Sequence, residues 1–197
     1  MKKSLLALAL LSVTGLANAN LIVNGSFEAP TQTPGTYGTY FGTSVPGWVA
    51  GTNGIEVRNN LFGTAEDGVN FVELDTFANS NMSQTVTTTA GVLYSLDYWY
   101  SPRVGQPAST NGVSSYWNGV LLTNSTGNGG SINNWVDLSF LVTGTGNDIL
   151  SFYATGTSDS LGGNVDNVSL TATPLPAAVW LMASGLGFLG FGRRKSI

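Results

Sequence analysis

The residues able to do chemistry in this 197-residue chain are of few kinds. The chain has no histidine and no cysteine. Ser-His-Asp triads, cysteine nucleophiles, Cys/His zinc sites and histidine general bases are therefore excluded together. All eleven acidic residues lie from Glu28 to Asp166, where Arg58 and Arg103 are the only bases. Two arginines against eleven carboxylates leave that stretch with a net charge of −9. A basic surface that tracks phosphates is missing, which argues against nucleic acid as a partner. Carboxylates with backbone oxygens suit a hard cation such as calcium. The same acidity also serves simply to keep a secreted protein soluble.

Two patterns carry more specific chemistry. Glu73 and Asp75 stand two residues apart on one expected strand face, about 6.6 Å along the strand, with Glu56 able to join them. A pair of carboxylates at such a separation is the minimum for glycoside hydrolysis, although an acidic β protein produces such pairs by composition. The second pattern is aromatic. Saccharide binding needs aromatic faces presented in a groove or loop among polar groups. Tyr37, Tyr40 and Phe41 fall in the Pro- and Gly-rich stretch Ala29 to Gly47, which reads as a loop. Tyr116 and Trp117 precede Asn118-Gly119, a hairpin-turn signal. For each of these five, burial in the core is the competing reading. Trp48, Trp99 and Trp135 are assigned to the core, and Tyr94, Tyr98 and Tyr100 to a strand stripe.

The elements that must position these residues are strands. Val92 to Tyr100, Trp135 to Val142 and Asp148 to Ala154 alternate apolar and polar residues with the strand period of two. Further strands are expected at Leu21-Val23, Ile55-Arg58, Asn70-Leu74, Met82-Thr87, Val113-Trp117 and Val165-Leu170. Turn-forming clusters separate them, among them Thr123 to Gly130 and Gly144 to Asn147. About nine strands without a helix imply an all-β fold, an antiparallel two-sheet β-sandwich. Val23, Phe27, Phe71, Leu96, Tyr98, Leu138, Phe140, Phe152, Val168 and Leu170 are its expected core. Asp166 shares strand parity with Val168 and Leu170 and so should point inward. A carboxylate there requires a cation, an arginine or backbone N–H donors.

The opening Asn20-Leu21-Ile22-Val23-Asn24-Gly25-Ser26-Phe27-Glu28 resembles the first strand of galactose-binding-like jelly rolls, a fold used by many carbohydrate-binding modules. Val165-Asp166-Asn167-Val168-Ser169-Leu170 resembles their last strand. Val45-Pro46-Gly47-Trp48, Asp67 to Leu74 and Ser83 to Val86 follow in the expected order. The resemblance implies a jelly roll and a structural calcium ion tying the first strand to the last, with Glu28 and Asp166 as its ligands. Acceptance of backbone N–H bonds by Asp166 is the alternative. Asp67, Glu73 and Asp75 are weaker candidates for the cation.

The two ends of the chain read as addresses. Lys2-Lys3, an apolar stretch from Leu5 to Leu11 and Ala17-Asn18-Ala19 form a secretory signal peptide, residues 1–19, with cleavage expected after Ala19. Residues 174–197 begin with Pro174-Leu175-Pro176, continue as an apolar run over 177–191, and end in Arg193, Arg194 and Lys195. That run is about 23 Å long as a helix, short against a bilayer core of about 30 Å. Its basic end should stay cytoplasmic. This tripartite tail resembles the PEP-CTERM sorting signal, which a membrane transpeptidase, exosortase, reads. The resemblance implies export, passage through the inner membrane and release to the cell surface or matrix.

Between the ends lies one expected domain, residues 20–173. Three functions compete for it: a non-catalytic module binding extracellular polysaccharide, linked to exopolysaccharide and biofilm; a purely structural or adhesive matrix protein; and a glycoside-active enzyme.

Overall fold

The computed structural model of the protein describes residues 19–174. The expected signal peptide through residue 18, Pro176, the run 177–191 and the Arg193, Arg194 and Lys195 cluster lie outside the described residues. No helix among the described residues is long and apolar enough to cross a membrane.

Among the described residues ten strands form the fold: β1 (Tyr37–Val45), β2 (Trp48–Asn59), β3 (Asn70–Glu73), β4 (Asn81–Thr87), β5 (Leu93–Ser101), β6 (Val113–Trp117), β7 (Val120–Ser125), β8 (Val136–Thr143), β9 (Asn147–Ala154) and β10 (Asn164–Ala172). Their order is β7-β6-β9-β4-β2-β3-β10-β5-β8, with β1 added on β2. Every pairing is antiparallel. The long β2 links the two halves of this sheet. Its start, Val49 and Ala50, pairs with β4, and its end, Glu56 to Asn59, pairs with β3. The sheet thereby folds over on itself, giving the expected antiparallel jelly-roll sandwich.

Alternation along each strand fills the space between the halves. Tyr98 from β5 meets Phe152 from β9 edge to face, with ring centroids 4.9 Å apart. The Tyr98 hydroxyl donates to Ser115 Oγ at 2.9 Å, so the phenol spans the core without an orphaned polar group. Leu96, Leu150, Phe152, Val165 and Leu170 are fully buried, each worth about 1.5–3 kcal/mol of apolar burial.

Several expectations need correction. Ala29 to Gly47 is not wholly a loop, because β1 occupies its second half. Thr123 to Ser125 belong to β7, the return strand of the Asn118-Gly119 hairpin, which brings the count to ten. Asn118 (φ 51°) and Gly119 (φ 77°) both lie in the left-handed region that a two-residue hairpin turn of this hand demands. Leu21-Val23 forms no strand. Val23 is held by its main chain instead: its N–H donates to Gln84 Oε1 at 2.7 Å and its carbonyl accepts from Gln84 Nε2 at 3.0 Å. Its side chain is 57% exposed rather than core. Leu138 and Phe140 are half-buried because β8 is an edge strand. Trp99 and Trp135 are also half-buried.

Candidate functional site

The motif from Asn20 to Glu28 acts as a clasp. Asn20 Oδ1 accepts the N–H groups of Ile22 and Leu170, which stitches the start of the domain to β10. Asn24 turns the chain in the left-handed region (φ 54°), and its side-chain amide bonds both the N–H and the carbonyl of Ala29. Gly25 passes so close to β10 that a Cβ there would sit 1.9 Å from the Val168 carbonyl oxygen. Phe27 fills the core, fully buried. Glu28 Oε1 accepts the N–H groups of Val69 and Asn70, each at 2.8 Å.

Asp166 serves the same loop from the far end of the chain. Its Oδ2 accepts the N–H groups of Glu66 at 2.8 Å and Asp67 at 3.1 Å, and Oδ1 accepts from Asn167 at 2.7 Å. The carboxylate is fully buried, but not by the route its parity suggested. Asp166 pairs with Trp99 while Val165 pairs with the core residue Tyr100, so Asp166 lies on the outer side of the sheet. A bulge after it, with Asn167 at φ 46°, shifts Val168 and Leu170 onto the core side. The covering loop buries Asp166. Burial pushes its pKa up to about 8, against the pull of its three amide donors. Both of its oxygens accept N–H groups, two on Oδ2 and one on Oδ1, which is the pattern of a backbone cap. Among the described residues no three acidic side chains group to hold a metal ion. The contacts of Glu28 and Asp166 thus fit the backbone-cap alternative.

Glu73 and Asp75 are also clasps. Both are fully buried. Glu73 Oε1 accepts the N–H groups of Asp75 and Gly162, and Asp75 Oδ2 accepts those of Asp159 and Ser160 at 2.9 and 3.0 Å. Arg58 bonds Glu56 Oε2 through Nε at 2.9 Å and Nη2 at 2.6 Å, and reaches Glu73 Oε2 at 3.3 Å. Burial raises Glu73 to about 6, partly offset by the Arg58 charge. These carboxylates anchor loops rather than flank an open cleft, so they do not form the pair a glycosidase requires. Above them the exposed Phe62 ring lies 5.6 Å from the Arg58 guanidinium and 5.0 Å from that of Arg103.

The five aromatic candidates separate. Tyr40 packs partly against the core, and its hydroxyl oxygen accepts from Gln32 Nε2. Tyr37 is exposed on β1, opposite Arg58. Phe41 is exposed and stacked on Phe77, with centroids 6.4 Å apart. Trp117 is 6% exposed, and its Nε1 donates to the Thr143 carbonyl at 3.2 Å. It is a core residue, not a ligand platform, because it shares the inward face of β6 with Val113. Tyr116, its neighbour, points the other way.

Tyr116 sits on the outer face of β7-β6-β9-β4, and this face has the geometry of a binding surface. A Tyr116–Tyr153 pair packs edge to face, with centroids 5.4 Å apart. A shallow open depression of about 280 Å³ is lined by Tyr116, Gly119, Ser151 and Tyr153. The register places Val49, Ser83, Ser151, Tyr116 and Leu121 in one row across five strands. Asn81, Tyr153, Ser114 and Asn124 form the next. Among the described residues, the side-chain polar groups of Asn81, Ser83, Thr85, Tyr116, Ser151 and Tyr153 have no protein hydrogen-bond partner. Tyr153 carries no local signal of its own, since the strand period of β9 marks Phe152 and Ala154 as the inward residues. The same alternation places Tyr153 outside, and its cross-strand pairing with Ser114 beside Tyr116 depends on the register of two strands distant in sequence.

No family model matches the chain, and no curated protein matches it. Solved structures overlap it. A family 35 carbohydrate-binding module from Clostridium thermocellum is 13% identical, with 70% of this chain and 99% of that one covered at a TM-score of 0.47. TmCBM61, solved with β-1,4-galactotriose, is 18% identical, with 79% and 100% covered at 0.49. The enzymatically active domain of tailspike protein 4 of bacteriophage CBA120 is 17% identical, with 78% and 21% covered at 0.48. At these scores the likenesses assign this chain neither family nor ligand.

Proposed function

We propose that the protein is a non-catalytic carbohydrate-binding module whose ligand lies on the outer face of β4, β6, β7 and β9. The observation that carries this is the open depression in which Tyr116 and Tyr153 stand over Ser151 and Gly119. Aromatic faces supply stacking area for the C–H faces of a sugar. Hydroxyl and amide groups without internal partners supply hydrogen bonds for its hydroxyls at no cost in lost protein contacts. Affinity electrophoresis in gels containing soluble polysaccharides tests it. Retardation is expected for the wild-type domain, residues 20–173, and should be lost in Tyr116→Ala and in Tyr153→Ala. Retardation unchanged in both variants would move the ligand to another face, and no retardation of the wild-type domain would leave it a structural or adhesive unit.

The proposal extends to where the module works. The signal peptide and the PEP-CTERM-like tail favour export, processing by an exosortase-type enzyme at the inner membrane, and residence with exopolysaccharide at the cell surface or in the biofilm matrix. Asn20, the residue after the expected cleavage, is bonded into the domain through Leu170, which supports a mature chain starting there. Mass spectrometry of the surface-released protein should find Asn20 as the first residue. An intact Arg193-Arg194-Lys195 end in that fraction would refute the processing step.

A further inference from the structure

Resting on the proposed carbohydrate-binding face, we infer that this face takes internal stretches of a neutral polysaccharide, lying across the strands, and rejects acidic ones. Charge is segregated in this fold. The strands β4, β6, β7 and β9 carry one charged residue between them, Asp148. Asp148 is fully buried and tied by Thr145, Thr88 and Asn118, so it presents nothing to a ligand. The outward residues of this half are Ser, Thr, Asn, Tyr and aliphatics. The strand charges Glu56, Arg58, Glu73, Asp97, Asp137 and Asp166 belong to β2, β3, β5, β8 and β10, in the other half of the sandwich.

Two consequences follow from this arrangement. A uronic acid or sulfated sugar placed on the face finds no cation to pair with, and the domain's net charge of −9 repels it. A neutral sugar loses nothing to charge desolvation and meets hydroxyl, amide and phenol groups that lack partners. The row Val49, Ser83, Ser151, Tyr116, Leu121 crosses five strands, about 19 Å at the usual strand spacing. That length accommodates several pyranose rings in line. The exposed Val49 and Leu121 at its two ends leave the row open at both sides, so a chain can run through rather than enter by its end.

Affinity electrophoresis and calorimetry with galactomannan and β-glucan as neutral probes, and polygalacturonate and alginate as acidic ones, test the inference. A neutral probe should bind, with affinity changing less than about twofold between low and high salt, since no counterion is released. Its affinity should rise with oligosaccharide length over several units and fall at least tenfold in Tyr116→Ala. The acidic probes should not bind to the wild-type face, and Ser83→Lys, which adds one cation in the row, should gain affinity for them. Salt-sensitive binding of an acidic probe, abolished by Tyr116→Ala, would overturn the inference while leaving the carbohydrate-binding reading standing. Binding confined to chain ends, with no gain from length, would overturn it likewise. Absence of binding to any probe would overturn both.

Discussion

Glu28 and Asp166 grip one loop from opposite ends of the chain: Glu28 holds the N–H groups of Val69 and Asn70, and Asp166 those of Glu66 and Asp67. Four consecutive-region amides thus depend on two carboxylates. Hydrogen exchange should resolve them separately. Asp166→Ala should release the amides of Glu66 and Asp67 while those of Val69 and Asn70 stay protected, and Glu28→Ala should do the reverse. Each change is expected to cost about 1–3 kcal/mol, the scale for hydrogen bonds to a charged group. Equal loss of protection at all four amides in either variant would show the loop to be one cooperative unit instead.

The same contacts bear on calcium. A cation clamped between Glu28 and Asp166 would stabilise by about 2.7 kcal/mol at a hundred times its Kd and raise the melting temperature by several degrees. If the three amides on Asp166 do the work of a cation, melting curves in calcium and in excess chelator should superimpose within about 1 °C. A calcium-dependent rise of several degrees that disappears in Asp166→Asn would restore the metal reading and require the amides to rearrange.

The sequence was most legible where one local rule decided the outcome. The alternation in Val92 to Tyr100 placed Tyr94, Leu96, Tyr98 and Tyr100 on one face, and all four are buried. Asn118-Gly119 gave its turn outright. Reading failed where a bulge broke the period, as at Asn167, which put Asp166 on the side opposite Val168. It failed also where a side chain replaced a strand ladder, as Gln84 does for Val23. The candidate site was half visible: Tyr116 could be named from its place beside a turn, but Tyr153 joins it only through a register between β6 and β9. Nothing local to either strand encodes that pairing.

Trp117 and Tyr116 are adjacent in sequence and should separate cleanly by substitution. Trp117→Phe removes the Nε1–H bond to Thr143 and some buried area, and should lower stability by about 1–3 kcal/mol with glycan affinity retained. Tyr116→Ala removes a half-buried ring from the outer face and should abolish binding at a smaller cost in stability. Thermal melts paired with gel retardation check both. Loss of binding in Trp117→Phe without loss of stability would return Trp117 to the ligand face.

The pH dependence of stability should run against the usual expectation for an acidic protein. Burial raises the Glu73 pKa from 4.5 to about 6 and that of Asp166 from 3.8 to about 8. The folded state therefore holds these protons more tightly than the unfolded chain. Their contribution is fully present below about pH 4 and is lost as pH rises, through about 6 for Glu73 and about 8 for Asp166. Asp148 opposes them at the acid end. Burial alone would raise it, but bonds from Thr145, Thr88 and Asn118 bring it from 3.8 down to about 2. Its contribution is present above 3.8 and lost as pH falls towards 2. These three groups together give a stability maximum near pH 4 and a decline towards pH 8. Glu73→Gln retains an oxygen for the Asp75 and Gly162 amides and removes the titrating group. It should flatten the slope between pH 4.5 and 6, on the order of 1–2 kcal/mol. Denaturant midpoints measured from pH 3 to 9 decide the matter. A midpoint that climbs steadily from pH 4 to 8 would mean that both buried carboxylates are ionised in the fold throughout, held so by their amide donors and, for Glu73, by Arg58.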